Sequence, residues 1–305
     1  MIKASHLNKH YHKTTAVNDI SFEIATNKVT GFLGPNGAGK STTMRLMLGL
    51  DNGTGFTYYD GKELHKYSQP SKIVGILLEA KAFHPTRTAK NHLKILATAG
   101  NIPLSRVDEV LEIVGLKDVA RKSPGKFSLG MSQRLGIAAA ILSKPKYLLL
   151  DEPANGLDPE GIVWLREFLR SYASNGNAVF VSSHLLSEMS QMADNVIVIG
   201  RGKLIANTSI KDLISSNTKS SVFVRSGNIS KLKSVLEEKA LTISVIDDGI
   251  EIFGVKTDEI GKLAHNAGIP ILELTSRNAS LEDVFLELTE GKEEFLAHNS
   301  KGAKS

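Results

Sequence analysis

The chain has 305 residues, 41% of them hydrophobic, and a formal net charge of +5. That length can fill one large core or two domains, and the mild basicity permits contact with anionic headgroups or nucleic acid without requiring either. Cysteine is absent, which excludes disulfides and thiolate metal sites.

The start, Met1 to His6, lacks the apolar core of a signal peptide. The longest apolar run, Leu135 to Leu142, is far shorter than the about 20 residues of a membrane span, so the chain reads as soluble by itself. From Met1 to about Thr208, short β-rich runs alternate with helical patterns, as in an α/β domain. Val29 to Leu33 is a compact apolar run of the kind buried in parallel sheets, and Thr42 to Leu48 starts a helix. Arg87 to Gly100 and Leu104 to Leu116 have helical spacing with charge on the opposite face. Tyr147 to Leu150, Ala178 to Val181 and Asn195 to Ile199 repeat the buried-strand pattern.

Ile210 to Lys219 is rich in Ser, Asn and Lys and reads as a linker. Beyond it the rhythm changes. Ser221 to Arg225 predicts a strand, Ile229 to Lys239 a helix, Leu241 to Ile246 with Ile250 to Phe253 a hairpin, Thr257 to Ala267 a helix and Ile269 to Leu274 a strand. This β-α-β-β-α-β order is that of the ferredoxin-like fold. A final helix, Leu281 to Leu288, precedes a polar tail. The expected organisation is an α/β domain over 1–209, a linker over 210–220, a smaller α+β domain over 221–290 and a tail over 291–305.

Gly34-Pro35-Asn36-Gly37-Ala38-Gly39-Lys40-Ser41 matches G-x-x-x-x-G-K-[ST], between an expected strand and an expected helix. Gly37 and Gly39 let the backbone approach phosphates without a Cβ in the way, and the helix N-terminus turns free N–H groups toward an anion. Lys40 is placed to reach β- and γ-phosphates and the Ser41 hydroxyl to hold Mg²⁺. The bland alternative is a glycine-rich turn before a helix. The strand Tyr147 to Leu150 runs directly into Asp151 and Glu152. One carboxylate there can manage a metal while the next polarises a water for attack on a phosphorus. Taken alone, that pattern fits equally a strand that ends in a solvated acidic turn.

The flanking segments narrow the choice. Pro153-Ala154-Asn155-Gly156-Leu157-Asp158-Pro159 follows at once, Val181-Ser182-Ser183-His184 closes a later strand, and Phe127-Ser128-Leu129-Gly130-Met131 opens a helix upstream. With these in order the chain resembles an ATP-binding cassette (ABC) ATPase, the motor subunit of ABC transporters, over residues 1–208. The fold this implies is α/β, a P-loop ABC ATPase domain, here followed by the ferredoxin-like one.

The resemblance implies site roles residue by residue. Gly34, Asn36, Gly37, Gly39, Lys40, Ser41 and Thr42 bind the phosphates of ATP, and Tyr11 stacks on adenine, unless it is an ordinary strand-end tyrosine. Glu152 is the general base and His184 the switch histidine at the γ-phosphate. Ser41, Asp151 and Glu79 serve Mg²⁺, while Ser128, Gly130 and Asp158 reach the nucleotide shared with a second subunit.

Two positions depart from the family pattern. Glu79 stands where a glutamine is usual, which keeps an oxygen ligand but adds charge and removes the amide donors. A similar replacement occurs in ABC ATPases that handle lantibiotics. The signature, usually LSGGQ, reads Phe127 to Met131 and retains only Ser128 and Gly130 among the phosphate-facing positions.

The implied partners are a separate transmembrane permease, docked at the Glu79–Pro85 loop, and a second ATPase subunit, expected to be an identical chain; nucleic acid is not expected. The implied function is ATP-driven export of an antimicrobial peptide, antibiotic or hydrophobic compound, from the cytoplasmic face of the membrane. The final helix also resembles a recurring ending in drug- and antibiotic-export ATPases. An importer ATPase with a regulatory C-terminal domain, or a non-transport ABC ATPase, is the alternative.

Overall fold

The computed structural model describes residues 1–12, 14–217, 221–246, 248–277 and 281–289. The chain begins with β1 (Ile2–Tyr11), β2 (Thr14–Ile24) and β3 (Lys28–Leu33), followed by α1 (Lys40–Met47). Next come β4 (Thr54–Tyr59), β5 (Lys62–Glu63), the short α2 (Pro70–Ile73), β6 (Val74–Leu77), α3 (Ala89–Ala99), α4 (Ser105–Ile113) and α5 (Leu129–Ala140). They are followed by β7 (Tyr147–Leu150), α6 (Pro159–Ser174), β8 (Ala178–Ser182), α7 (Leu186–Met192), β9 (Asn195–Gly200), β10 (Lys203–Ser209) and α8 (Ile210–Asn217). The remainder is β11 (Ser221–Ser226), α9 (Ile229–Glu238), β12 (Ile243–Ile246), β13 (Gly249–Phe253), α10 (Thr257–Asn266), β14 (Ile271–Arg277) and α11 (Leu281–Thr289).

The central sheet runs β10-β9-β3-β8-β7-β6. Its inner pairs are parallel and only β10 runs antiparallel to its neighbour. The strands β3, β7 and β8 are almost wholly buried, as continuous apolar runs covered on both faces should be. Their carboxyl ends carry Gly34, Asp151 and Ser183, the edge at which open α/β sheets bind ligands.

A second, antiparallel sheet, β2-β1-β4-β5, faces the first. Ile2, Leu7, Ile20 and Phe22 from it share one core with Met44 of α1 and with Phe32, Leu149 and Phe180 of the parallel sheet. The Phe32 and Phe180 rings lie 4.9 Å apart, with Phe22 at 5.7 Å from Phe180. The sequence pattern did not single out this sheet. His6 and Asp19 adopt positive φ, and the β1–β2 register shifts three times, so the period of two is repeatedly reset.

The described chain divides into compact units over residues 1–210 and 211–287, with Leu288 and Thr289 grouped with the first. The stretch expected to be a polar linker instead forms α8 over most of its length. Ile210 and Leu213 are buried, so this helix has an apolar side that its serines and lysine conceal in a composition reading.

The second unit is an antiparallel sheet in the order β12-β13-β11-β14, which in chain order within the unit is 2-3-1-4, the ferredoxin-like arrangement. Val222, Val224, Ile250 and Ile252 pack against Leu232 and Leu236 of α9 and Ile260 and Ala264 of α10. The expected tail over 291–305 lies outside the described residues.

Candidate nucleotide site

The phosphate loop leaves β3 at Gly34 and enters α1 at Lys40. Gly37 and Gly39 have φ of +80° and +101°, a left-handed turn that side-chain-bearing residues resist. A Cβ on Gly39 would sit 2.3 Å from the Ala16 carbonyl oxygen, so the loop is pressed against β2 as well as turned. α1 has no side-chain cap at its start, so its first N–H groups remain available to an anion. These features fit a phosphate chain.

Lys40 is buried, and its ammonium donates to the carbonyls of Gly34 at 2.7 Å and Pro35 at 3.2 Å. Burial lowers its pKa below the usual lysine range, and the charges of Glu152 and Asp151 oppose that fall. One cation thus faces two carboxylates across the mouth of the loop. Ser41 is exposed at the start of α1, and Asn36 and Gly37 are exposed on the loop. Thr42 is half-buried on the first turn of α1.

Around the carboxylates the bonds are short and reciprocal. The Glu152 N–H donates to Ser182 Oγ at 2.9 Å, and the Ser182 hydroxyl donates in turn to Asp151 Oδ1. His184 Nδ1 lies 2.7 Å from Glu152 Oε2. Gln133 Nε2, reaching across from α5, donates to the Glu152 carbonyl at 3.0 Å. The Asp151 N–H donates to the Leu77 carbonyl at 2.7 Å, tying the end of β7 to the end of β6. The strands therefore gather Lys40, Asp151, Glu152 and His184 at one edge, as their order in the sequence anticipates.

Among the described residues, no group of three His, Cys, Asp or Glu side chains is disposed to hold a metal. A site with one hydroxyl, Ser41, one carboxylate, Asp151, and the rest from phosphate and water suits Mg²⁺, which keeps much of its own hydration. Glu79 is exposed beyond β6 and lines a groove of about 650 Å³ with Arg45, Ile76, Leu78 and Phe83. Its charge helps hold Arg45 protonated, behind the larger effect of Asp51 on that guanidinium.

Tyr11 stands at the end of β1, 45% exposed, with its hydroxyl donating to Asp51 Oδ2 at 3.0 Å. Arg45 donates to both oxygens of Asp51, and the Lys9 ammonium lies 4.6 Å from the Tyr11 ring centroid. Asp51 and Arg45 had no motif to mark them, because the contacts that matter cross between separate elements.

Ser128 caps α5, its hydroxyl accepting from the Met131 N–H at 3.1 Å, and remains exposed. Gly130 is buried against the loop that follows Glu152: a Cβ there would approach the Gly156 carbonyl to 2.7 Å. Asp158 caps α6 through the Gly161 N–H at 2.9 Å. Ser128, Gly130 and Asp158 therefore lie together on the rim formed by α5, the 153–158 loop and α6. Gln133 and Ser182 carry no mark in the sequence, although Ser182 sits inside the run Val181 to His184 and Gln133 two residues beyond Met131; nothing in either pattern says which backbone group a buried amide or hydroxyl will find.

Comparison with known proteins agrees with this geometry. Residues 17–155 match the family described as ABC transporter, and residues 220–282 match a domain of unknown function. The chain is 38% identical to the bacitracin transport ATP-binding protein BcrA of Bacillus licheniformis, over 95% of this chain and 98% of that one. It is 39% identical to the lantibiotic transport ATP-binding protein SrtF of Streptococcus pyogenes, over 67% of this chain and 89% of that one. Among solved structures, cbiO1 of Clostridium perfringens, part of an ABC transporter complex, aligns with a TM-score of 0.61 at 26% identity, covering 70% of this chain and 90% of that one. The dimeric, ADP- and phosphate-bound cassette MJ0796 aligns with a TM-score of 0.61 at 21% identity, covering 69% and 99%, and shares the fold. Phosphate loop, paired carboxylates and whole-length relatives converge, and the chain belongs to the ATP-binding, ATP-hydrolysing subunits of the ABC transporter family.

Proposed function

We propose that this subunit powers export of an antimicrobial peptide or related hydrophobic antibiotic through a separate membrane permease, working as a pair of identical chains. The names of BcrA and SrtF support the cargo class. Among the described residues no helix is long and apolar enough to cross a membrane, and the passage through the bilayer is assigned here to a separate permease. The groove lined by Glu79, Ile76 and Phe83 offers that polypeptide an apolar seat with a charged rim, since Ile76 and Leu96 are exposed beside it. The second unit, with its apolar core and surface ion pairs, is assigned to dimer support or regulation.

Mg²⁺-ATP supplies the scissile phosphoanhydride and a cation that offsets the charge growing on the transferred phosphoryl group. The chain does the rest. Lys40, already partly desolvated, exchanges its two carbonyl partners for phosphate oxygens. Asp151, fixed by Ser182, and the Ser41 hydroxyl hold the cation. Glu152 accepts the proton of the attacking water, and His184 fixes the direction of its carboxylate. Ser128 and Gly130 of one copy face the phosphate loop of the other, so that ATP holds the pair closed and cleavage releases it.

The observation that carries this reading is the Glu152–His184 contact beside the buried Lys40. Glu152→Gln should still bind ATP while steady-state hydrolysis drops by at least about 100-fold, the range lost with a positioned base. Undiminished hydrolysis by that variant would remove Glu152 from the base role. Loss of peptide-antibiotic protection in cells carrying the same variant with its permease would support the export assignment.

A further inference from the structure

Glu152 stands in the left-handed region with φ of +49°. A residue with a Cβ remains there only where its surroundings hold it. Two side chains do so from opposite ends of the residue: Ser182 takes its N–H at 2.9 Å, and Gln133 supplies a donor to its carbonyl at 3.0 Å. The grips come from different elements, β8 and α5.

Gln133 is 4% exposed, and its Oε1 has no protein partner. A buried amide left half-satisfied is costly, and Met or Leu would fill similar volume without that penalty. The position therefore uses the amide for its donor rather than for packing. Gln133 also lies five residues after Ser128, about 7.5 Å along the same helix axis. The small-residue contact of Gly130 on Gly156 keeps the start of that helix seated on the loop leaving Glu152. Ser128 and the Glu152 peptide are thus joined through the first turns of α5 and one hydrogen bond.

We propose that Gln133 is a positioning residue for hydrolysis: its donation to the Glu152 carbonyl sets the turn that aims the carboxylate at His184, and ties that turn to the helix whose first residues face the second copy's nucleotide. The inference rests on Glu152 acting as the base. It assigns to α5 a role inside its own chain's site, in addition to the one across the dimer.

The test compares Gln133→Met, which keeps volume and loses the donor, with Gln133→Glu, which sets an acceptor against the carbonyl, in the full chain. A misaimed base predicts kcat about 10-fold down for Gln133→Met and about 100-fold down for Gln133→Glu. The Kd for Mg-ATP and the ATP-driven dimer should stay within about twofold, since neither depends on a transition-state contact. Gln133→Asn, which keeps the amide but draws it back from the carbonyl by one methylene, should also lower kcat about 10-fold, which keeps the idea testable if Gln133→Met fails to fold. Wild-type kcat in a folded Gln133→Met chain overturns the proposal, as does wild-type kcat in a folded Gln133→Asn chain. Parallel loss of melting temperature, ATP affinity and kcat also overturns it, because that is the signature of packing alone. Glu152→Gln, measured alongside, separates the two failures: an inactive Glu152→Gln with a normal Gln133→Met sinks only the positioning role, whereas an active Glu152→Gln sinks the base assignment.

Discussion

The first and second compact units bury different kinds of residue. In the first, Lys40, Ser132, Gln133, Ser182 and Ser183 are buried on the phosphate loop, on the signature helix or at the end of β8, close to the carboxylates, and Thr30, Thr43 and Thr57 are buried as well. In the second, the core is Val, Leu, Ile and Ala, the charged pairs Arg225–Asp248 and Lys233–Glu237 lie at the surface, and the two buried hydroxyls, Ser221 and Ser226, bond within the unit to Glu251 and to the Pro270 carbonyl. Burying a polar group costs free energy unless something bonds it, so a cluster of buried polar groups marks where the fold serves chemistry rather than itself. The second unit buries only two hydroxyls among the described residues, each bonded within its own sheet or the turn beside it.

The largest effect should separate the units. Lys40→Ala should lower both ATP affinity and turnover by at least about 100-fold, because it removes the charge aimed at the phosphates. Leu236→Ala should instead destabilise the second unit by about 2–4 kcal/mol and leave ATP affinity of the first within about twofold. Nucleotide titration together with chemical denaturation reads both. If Leu236→Ala weakened ATP binding as strongly as Lys40→Ala, the contrast between a chemical and a packing unit would be wrong.

How far the sequence discloses this contrast depends on the range of each contact. β3, β7 and β8 were visible as short apolar runs, because parallel strands buried on both faces need no alternation. The loop from Gly34 to Ser41, Asp151, Glu152 and His184 were visible because each is fixed by its immediate neighbours in the chain. The antiparallel β1–β2–β4 layer was not, since its bulges at His6 and Asp19 interrupt the pattern. Nor was α8, whose buried Ile210 and Leu213 are outnumbered by polar neighbours. Asp51 near Tyr11, and Gln133 beneath Glu152, lie 40 and 19 positions away from their partners. Such pairs become legible only when the fold brings the elements together.

A middle-sized effect tests whether the polar cluster extends to the adenine end. Tyr11→Ala should raise KM for ATP about 10-fold with kcat little changed, as expected for a lost stacking face. Asp51→Ala leaves the ring but frees its hydroxyl and Arg45, and should raise KM only about 2–3-fold. Equal effects of the two variants would mean that Asp51, rather than the ring, makes the contact with nucleotide.

The smallest effect sets a limit on the comparison within the first unit itself. Tyr147 begins the strand that ends before Asp151, and its hydroxyl donates to Asp60 at 2.6 Å; Lys146 donates to the other Asp60 oxygen at 2.6 Å. Burial opposes ionisation of Asp60, but these hydrogen bonds, together with the bond and charge of the Met1 ammonium at 2.9 Å, outweigh it and hold the carboxyl well below the usual carboxylate range. A depressed native pKa contributes stability that is complete above the unfolded value and is lost as pH falls through the native one. Asp60 is partly exposed, so solvent screening keeps the expected loss for Asp60→Asn at about 1 kcal/mol near neutral pH. Denaturation at about pH 7 and about pH 5 should show that gap in full, and it should shrink on approaching about pH 2, since the reference carboxylate titrates near about 4. ATP turnover near neutral pH should not change, because this network sits at the amino end of β7 and the chemistry at its carboxyl end. A pH-independent gap would mean that the Asp60 charge contributes nothing and only its shape matters. A loss of turnover would mean that the two ends of β7 are coupled, and that buried polarity in this unit is functional throughout rather than at one edge.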